Sequence, residues 1–86
     1  MYYVYVLVEK KSGKMYIGYT SDLRRRLKEH QEGKGAKYTQ SGEWELVYYE
    51  AYMSELDARE RERKLKQRGQ SKRWLRERIR RSMEGL

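Results

Sequence analysis

Residues 15–30 read MYIGYTSDLRRRLKEH, and this stretch changes from strand-like to helix-like composition within a few positions. It opens on aromatic and β-branched residues, which are typical of a strand. Gly18 lies inside that strand, where a glycine usually marks a bulge or a close approach by another group. Residues 20–22 offer an N-cap for a helix that we expect to end around Gly33. The stretch therefore predicts a strand, a short turn and a helix.

The predicted helix carries charged or ionisable residues on the face that should be buried. Leu23 and Leu27 define this face, because residues three, four and seven apart lie on the same side of a helix. Arg26 and His30 fall on it as well. Polar side chains that point into a domain need buried partners or form a functional site. The helix therefore makes Arg26 and His30 candidate site residues.

Two further strands are predicted around this segment. Residues 2–8 (YYVYVLV) are apolar on both faces, which favours a central strand. Residues 10–14 (KKSGK) read as the hairpin turn that follows it. Residues 44–52 (WELVYYEAY) form the third strand, in which alternate residues from Trp44 to Tyr48 should share a face.

The last third of the chain predicts two helices. A capping box at Ser54 opens a helix over 55–68. Gly69 ends this helix, and Ser71 caps a third helix of the chain, which runs to about Met83.

The order of elements is therefore β-β-α-β-α-α within one domain, residues 1–86. A hairpin joins antiparallel strands, and the strands need helices to cover their apolar faces. We expect an α+β fold in which a small three-stranded antiparallel sheet packs against helices.

The charge of the chain is concentrated at one end. Residues 59–81 hold twelve of the 21 Lys and Arg residues and three of the 13 Asp and Glu residues, so their net charge is +9, whereas the rest carries −1. Such a concentration favours a polyanionic partner, most often nucleic acid. The alternative is a solvated surface of the kind found in thermostable or designed proteins.

Composition also argues against several classes of protein. The chain has no cysteine, so it has no disulfide and no thiolate metal site. A small secreted domain usually needs a disulfide, so we expect a cytoplasmic protein. No apolar run approaches the roughly 20 residues of a membrane span, and we expect no membrane partner.

Five polar residues are expected to point toward one another. They are Arg26, His30 and Glu62 on helices, and Tyr5 and Tyr16 on neighbouring strands. Phosphodiester cleavage needs such a set: a group that takes a proton from water, a cation for the charge on the phosphate, and a carboxylate for a metal. Each residue alone has a structural interpretation; Glu62 could simply pair with Arg26, for example. The combination favours a site.

The sequence resembles the GIY-YIG endonuclease superfamily, in particular small stand-alone domains similar to the N-terminal nuclease of the bacterial excision-repair endonuclease. The resemblance covers nearly the whole chain. The matching segments are YVY at 3–5, YIG at 16–18, and the segments 22–30, 33–39, 46–50 and 58–66.

The resemblance implies a role for each of the five residues. Tyr5 matches the proposed general base or water-positioning group. Tyr16 matches a tyrosine that contacts the phosphate or orients water. Arg26 matches the arginine that stabilises the transition state, and His30 a position that assists nearby. Glu62 matches the single metal-binding glutamate, with Mg²⁺ or Mn²⁺ as the expected cofactor.

Glu60 and Tyr19 bear on which residue binds the metal and how the base is activated. Glu60 competes with Glu62 as the metal ligand, but Glu62 shares a helix face with the apolar Ala58 and Leu65, whereas Glu60 should be exposed. Tyr19 stands where other branches carry a lysine, which leaves open how the base tyrosine is activated.

The function expected from the sequence is a metal-dependent DNA endonuclease, nicking or structure-directed and with little sequence specificity, in the context of DNA repair. Its partner would be branched, flapped or single-stranded DNA, with RNA as another candidate, and it would act as a monomer or weak homodimer. The alternative is a non-catalytic nucleic-acid-binding module or a designed scaffold on the same fold. Basic residues expected to contact the nucleic acid are Lys37, Lys66, Arg68, Lys72, Arg73 and Arg76.

Overall fold

A computed structural model describes residues 1–67 and 69–85. Its three strands, in the spatial order β2-β1-β3, form one antiparallel sheet, as predicted. The strands are β1 (Tyr2–Glu9), β2 (Met15–Thr20) and β3 (Trp44–Tyr52), and the helices are α1 (Leu23–Gln31), α2 (Glu55–Lys66), α3 (Gln70–Arg78) and α4 (Arg80–Glu84), with a 3₁₀ turn at Lys37–Thr39. In the part of the chain described, no helix has both the length and the apolar character needed to cross a bilayer.

The central strand has two buried faces, which is why its sequence is apolar throughout. Val4 and Val6 point toward the C-terminal helices and pack with Ala58 and Leu65 of α2 and Leu75 of α3. This is the hydrophobic core of the protein. It holds α2 against the sheet and thereby sets the direction in which α2 presents its polar residues.

The opposite face of the sheet is covered by α1, and this cover is only partial. His30 is the one fully buried residue of α1, whereas Leu23 and Leu27, which the helix pattern predicts as buried, are half-buried. The reason is that clefts of about 570 and 440 Å³ are both lined by Leu27. His30 also lines the larger cleft but keeps only 7% of its surface exposed, so α1 is most closely packed on the sheet at its C-terminal end.

The C-terminal helices differ from the predicted pair. The helix expected over 55–68 ends at Lys66, because Gln67 takes an extended conformation with ψ 148°. Gly69, with φ 136°, is the N-cap residue of α3, and Ser71 lies inside that helix instead of capping it. Ile79 leaves helical geometry and buries its side chain, so the single helix expected there is divided into α3 and α4. The element order therefore contains one helix more than predicted.

The third strand contains a bulge that alternation alone does not predict. Pairing with β1 passes from Tyr48 directly to Leu46, so Val47 is left without a partner. The prediction that Tyr48 lies on the same face as Trp44 is therefore wrong, because the extra residue reverses the alternation. Tyr49 takes that place, and its ring contacts Tyr3 at 5.9 Å between centroids.

Candidate active site

Tyr5 is at the centre of the cluster of polar residues. It lies on the central strand with no exposed surface. Its ring crosses Gly18 on the neighbouring strand so closely that a Cβ at Gly18 would overlap the phenol. The glycine inside the strand therefore marks a close approach, as the sequence suggested, and the group that approaches is Tyr5 of the YVY segment at 3–5.

A chain of hydrogen bonds runs through the Tyr5 hydroxyl. The Nε of Arg26 donates to the Tyr5 oxygen at 3.3 Å, and the Nε2 of His30 lies 2.8 Å from the same oxygen. On the other side of the imidazole, Nδ1 lies 2.7 Å from the Oγ1 of Thr39, which itself donates to the carbonyl of Ala36 at 3.0 Å.

The positions of the protons follow from this order. Thr39 spends its only proton on Ala36, so its Oγ1 must accept from Nδ1–H of His30. A neutral imidazole protonated at Nδ1 has its lone pair at Nε2, and the Tyr5 hydroxyl donates to it. The loop thus selects the histidine tautomer that accepts a proton from Tyr5.

Burial keeps both members of this pair neutral. Loss of solvent raises the pKa of Tyr5 to about 12, although the hydrogen bond from Arg26 opposes this effect. Loss of solvent, together with the charge of Arg26, lowers the pKa of His30. The Tyr5 hydrogen bond in turn raises the pKa of Arg26, so its charge is secure. The site therefore contains a neutral proton donor and acceptor beside a permanent cation.

Tyr16 covers this pair on its outer side. Its ring lies 6.2 Å from that of Tyr5 and 5.5 Å from that of His30, and it is half-buried. The ammonium of Lys66 lies 5.9 Å from the centre of the same ring. Tyr16 is thus the tyrosine of the pair that solvent can reach, whereas Tyr5 is enclosed.

Glu62 does not pair with Arg26. Arg26 binds Glu29 at 3.1 Å, and Glu62 binds Lys66 at 2.9 Å. The structural interpretation in which Arg26 and Glu62 satisfy each other is therefore wrong. Lys66 links Glu62 to the cluster: its ammonium lies 2.9 Å from the Glu62 carboxylate and 5.9 Å from the centre of the Tyr16 ring.

The two glutamates on α2 differ in their exposure. The side chain of Glu62 is 21% exposed, whereas that of Glu60 is 58% exposed and pairs with Lys64. Ala58 and Leu65, which share the face of Glu62, are fully buried. The helix pattern that favoured Glu62 is confirmed in its geometry.

A divalent metal fits this arrangement only if a bound phosphate supplies some of its ligands. No group of three or more His, Cys, Asp or Glu residues able to hold a metal exists within residues 1–67 and 69–85. Mg²⁺ commonly uses one or two carboxylates and keeps water or substrate oxygens as its other ligands. Glu62 would supply one such carboxylate when Lys66, now 2.9 Å away, is displaced from it.

Two residues of the site were missed by sequence reasoning. Thr39 is buried and orients His30, and Gly35 lies against the imidazole where any Cβ would collide with the ring. Both lie in the segment 33–39, in which the sequence analysis gave a role to Lys37 alone. The available signal was a glycine and a threonine four residues apart in an otherwise polar loop.

The basic residues expected to bind nucleic acid divide into two groups. Lys37, next to Tyr38, and Lys66 are exposed and lie beside Tyr16 and its ring partner. Arg73 and Arg76 line a separate groove of about 420 Å³ that also includes Met83. Lys72 is half-buried at the start of α3. Arg68 lies outside the described residues.

Comparison with known proteins identifies this combination of sheet, helices and clustered side chains. Residues 1–77 match the family model described as the GIY-YIG catalytic domain. The chain therefore belongs to the GIY-YIG family, and its domain is of a nuclease type.

The similar curated proteins are UPF0213 proteins, a group of small stand-alone GIY-YIG domains. A UPF0213 protein from Streptococcus pneumoniae strain R6 is 45% identical over 78 residues, covering 87% of this chain and 78% of that protein. One from Halalkalibacterium halodurans is 50% identical over 58 residues, covering 66% of this chain and 61% of that protein. The solution NMR structure of a UPF0213 protein from Bacillus halodurans has a TM-score of 0.53 at 43% identity, covering 87% of this chain and 81% of that one.

Proposed function

We propose that the protein is a divalent-metal-dependent DNA endonuclease that cuts one strand at a time with little sequence specificity. The observation that carries this proposal is the hydrogen-bonded series from Arg26 through Tyr5 and His30 to Thr39. This series would supply a fixed cation and an oriented proton acceptor to a bound phosphate. Membership in the GIY-YIG family supports the same conclusion.

Arg26 would stabilise the charge that builds on the phosphate. Its Nε is bound to Tyr5 and its Nη1 to Glu29, so the plane of the guanidinium is fixed before substrate arrives. Guanidinium donors arranged in this way suit a phosphate with two parallel hydrogen bonds. Preorganised donors lower the barrier because they need no rearrangement at the moment of reaction.

His30 is the proposed final acceptor of the proton from water. With a pKa of about 12, Tyr5 is not a ready phenolate at neutral pH. In the proposed step, water attacks phosphorus and gives a proton to the Tyr5 oxygen, while the Tyr5 proton passes to Nε2 of His30. The P–O3′ bond breaks, the leaving 3′-oxygen takes a proton from solvent, and the imidazolium that forms keeps its Nδ1–H on Thr39.

Access to Tyr5 requires a movement of its covering groups. Because Tyr5 has no exposed surface, water would reach its oxygen only when the Tyr16 ring or the Arg26 side chain is displaced by the bound phosphate. Tyr16, which is half-buried, would then orient that water at the opening.

Glu62 would hold the Mg²⁺ or Mn²⁺ ion, whose contribution when bound is to neutralise charge on phosphate oxygens. Lys66 would leave Glu62 and turn toward a phosphate at the same time. The exposed Lys37 and the arginines of α3 would bind the backbone without reading bases.

The alternative is a non-catalytic nucleic-acid-binding module. Its supporting observation is the Glu62–Lys66 pair, which gives the carboxylate a structural partner. A nicking assay separates the two functions. Supercoiled plasmid and flapped oligonucleotides of DNA, with matched RNA, are incubated in Mg²⁺, Mn²⁺ or EDTA with the parent protein, Glu62→Gln and Glu60→Gln.

Glu60→Gln is the matched control, because Glu60 makes the same i,i+4 pair on an exposed part of the same helix. An endonuclease should cut in metal, lose the activity with Glu62→Gln and retain it with Glu60→Gln. Tight binding without cutting in either metal would establish the binding module instead. Cutting that survives Glu62→Gln would refute the metal-ligand assignment.

A further inference from the structure

Tyr38 is an aromatic residue beside the candidate active site that remains largely in solvent. It is 55% exposed, yet its ring stacks on Tyr16 with 6.2 Å between centroids and 24° between planes. The ring of Trp44 also adjoins it, tilted by 56° at 5.5 Å between centroids. A large apolar surface is thus held in a defined orientation next to the catalytic cluster, without being used by the core.

The backbone fixes Tyr38 relative to the reacting groups. Tyr38 lies in the 3₁₀ turn Lys37–Thr39, and Thr39 is buried and bonded to His30. The two stacked tyrosines continue inward to Tyr5, whose ring lies 6.2 Å from that of Tyr16. Tyr38 therefore contacts Tyr16 directly and is separated from the Tyr5 ring by that one ring.

The charge around Tyr38 fits a nucleic-acid backbone. Lys37 precedes it on the same turn and is exposed, and Lys66 lies over the ring of Tyr16. Aromatic rings flanked by cations are the usual surface for single-stranded nucleic acid, because every base has a face that can stack and every phosphate needs a counter-charge.

We propose that Tyr38 is a stacking platform for an unpaired base next to the phosphate that is cut. The proposal rests on the proposed nuclease function of the same site and adds a substrate preference to it. A base inside a duplex is already stacked between its neighbours and cannot use the platform without being unstacked. The site should therefore favour single-stranded or flapped DNA over continuous duplex.

Binding in EDTA tests the platform without cleavage. Single-stranded oligonucleotides that carry 2-aminopurine, a base whose fluorescence falls on stacking, are titrated with the parent protein, Tyr38→Ala and Tyr38→Phe. The parent should quench the probe. Tyr38→Ala should lose the quenching and bind roughly 5- to 150-fold more weakly, the range for removal of one base-stacking aromatic residue. Tyr38→Phe should behave like the parent.

Two comparisons make the test specific. Tyr49→Ala is the matched control, because Tyr49 is 51% exposed and contacts Tyr3 instead of the Tyr16 ring. It should leave quenching unchanged. Duplex DNA without a flap should bind Tyr38→Ala as well as it binds the parent, because only the unpaired base is lost.

The platform fails if Tyr38→Ala binds single strands like the parent, or if it weakens single-stranded and duplex binding equally. If cutting requires metal and Glu62, but Tyr38→Ala and the parent show the same ratio of cutting rates on single-stranded and duplex DNA, the platform is rejected and the nuclease function is retained. Quenching that depends on Tyr38, with no cutting in any metal, would keep the platform and reject the nuclease.

Discussion

The Nε2 atom of His30 lies 2.8 Å from the phenol oxygen of Tyr5, although 25 positions separate the two residues in sequence. Tyr5 comes from the central strand and His30 from the last turn of α1. Both are buried, and the surrounding protein keeps both neutral. This one contact links the two halves of the site and provides the basis for the proposed proton transfer.

Replacing Thr39 should impair the site without removing any group that touches substrate. Thr39→Val keeps the shape of the side chain but removes the acceptor for Nδ1–H of His30. Nε2 of the imidazole is then no longer fixed as the proton acceptor, and kcat should fall by about 100-fold, at the lower end of what proton-transfer groups contribute. Thr39→Ser retains the hydroxyl and should restore most of the rate. Equal losses in the two variants would point to packing rather than to proton orientation.

The dependence on pH should follow His30. Burial and the Arg26 charge lower its pKa, whereas the charge of Glu29 opposes them. The rate at saturating Mn²⁺ should therefore fall as acid protonates Nε2, with an apparent pKa below the ordinary value of about 6.5. Tyr5, with a pKa of about 12, stays protonated over the usual assay range. A rate that shows no decrease in acid down to about pH 4 would contradict His30 as the acceptor.

The lowered pKa of His30 also predicts how the stability of the protein changes with pH. A histidine whose pKa is lower in the folded than in the unfolded state contributes stability above the unfolded value, because the unfolded chain takes up its proton first. That contribution should be lost as pH falls below about 6.5 toward the folded pKa of His30. Urea unfolding of the parent and of His30→Gln, measured from pH 7.5 to pH 5, checks this. The difference between the two proteins in the slope of the free energy of unfolding against pH is the contribution of His30. Identical slopes would show that His30 makes no such contribution.

Substitution of Gly18 should be costly because of Tyr5. A Cβ at Gly18 would overlap the phenol ring, and Tyr5 is fully buried and held by two hydrogen bonds. We expect Gly18→Ala to lower the free energy of unfolding by about 1–3 kcal/mol, as overpacking of a filled interior does. Gly85→Ala, at a position with negative φ and ordinary contacts, is the control and should be neutral within about 0.5 kcal/mol. Chemical denaturation of both variants measures the difference.

Lys66 should compete with the metal for Glu62. The two side chains are 2.9 Å apart, and the ammonium repels a divalent cation at the carboxylate. Lys66→Met should therefore tighten Mn²⁺ binding to the free protein by about three- to tenfold, as an electrostatic effect at a partly exposed site. Mn²⁺ titration followed by electron paramagnetic resonance measures this affinity.

The matched control for that titration is Lys64→Met, which removes the same charge from the Glu60 pair on the exposed part of α2. Its Mn²⁺ affinity should equal that of the parent. If both lysine variants change the affinity by the same factor, the effect is the general charge of the helix. If neither does, Lys66 does not compete for Glu62.

The apolar pattern of α2 predicted correctly which of two nearby glutamates faces the protein interior. Glu62 and Glu60 differ only in which side of α2 they occupy, and a repeat of 3.6 residues is enough to separate them. Ala58 and Leu65 are buried and Glu62 is on their side, as predicted. The same reasoning overestimated the burial of Leu23 and Leu27, because periodicity gives the direction of a side chain but not how much of the protein lies against it.

Other elements could not be derived from local pattern. The bulge at Val47 depends on how β3 registers against β1, so alternation within β3 alone predicted the wrong face for Tyr48. The division of the last helix at Ile79 occurs where the side chain reaches the core. Both features are set by packing against segments that are distant in sequence.

By itself the sequence determined the three strands and the helices up to α2, the glycine that admits the Tyr5 ring, the family, and the side of each helix that carries Arg26, His30 and Glu62. These properties depend on residue types and on repeats within a single element. Only the tertiary structure decided that Thr39 orients His30, that the Tyr5 proton points to Nε2, and that Glu62 pairs with Lys66 and not with Arg26. Those outcomes depend on distance and burial, which arise when separate segments fold against one another and exclude water.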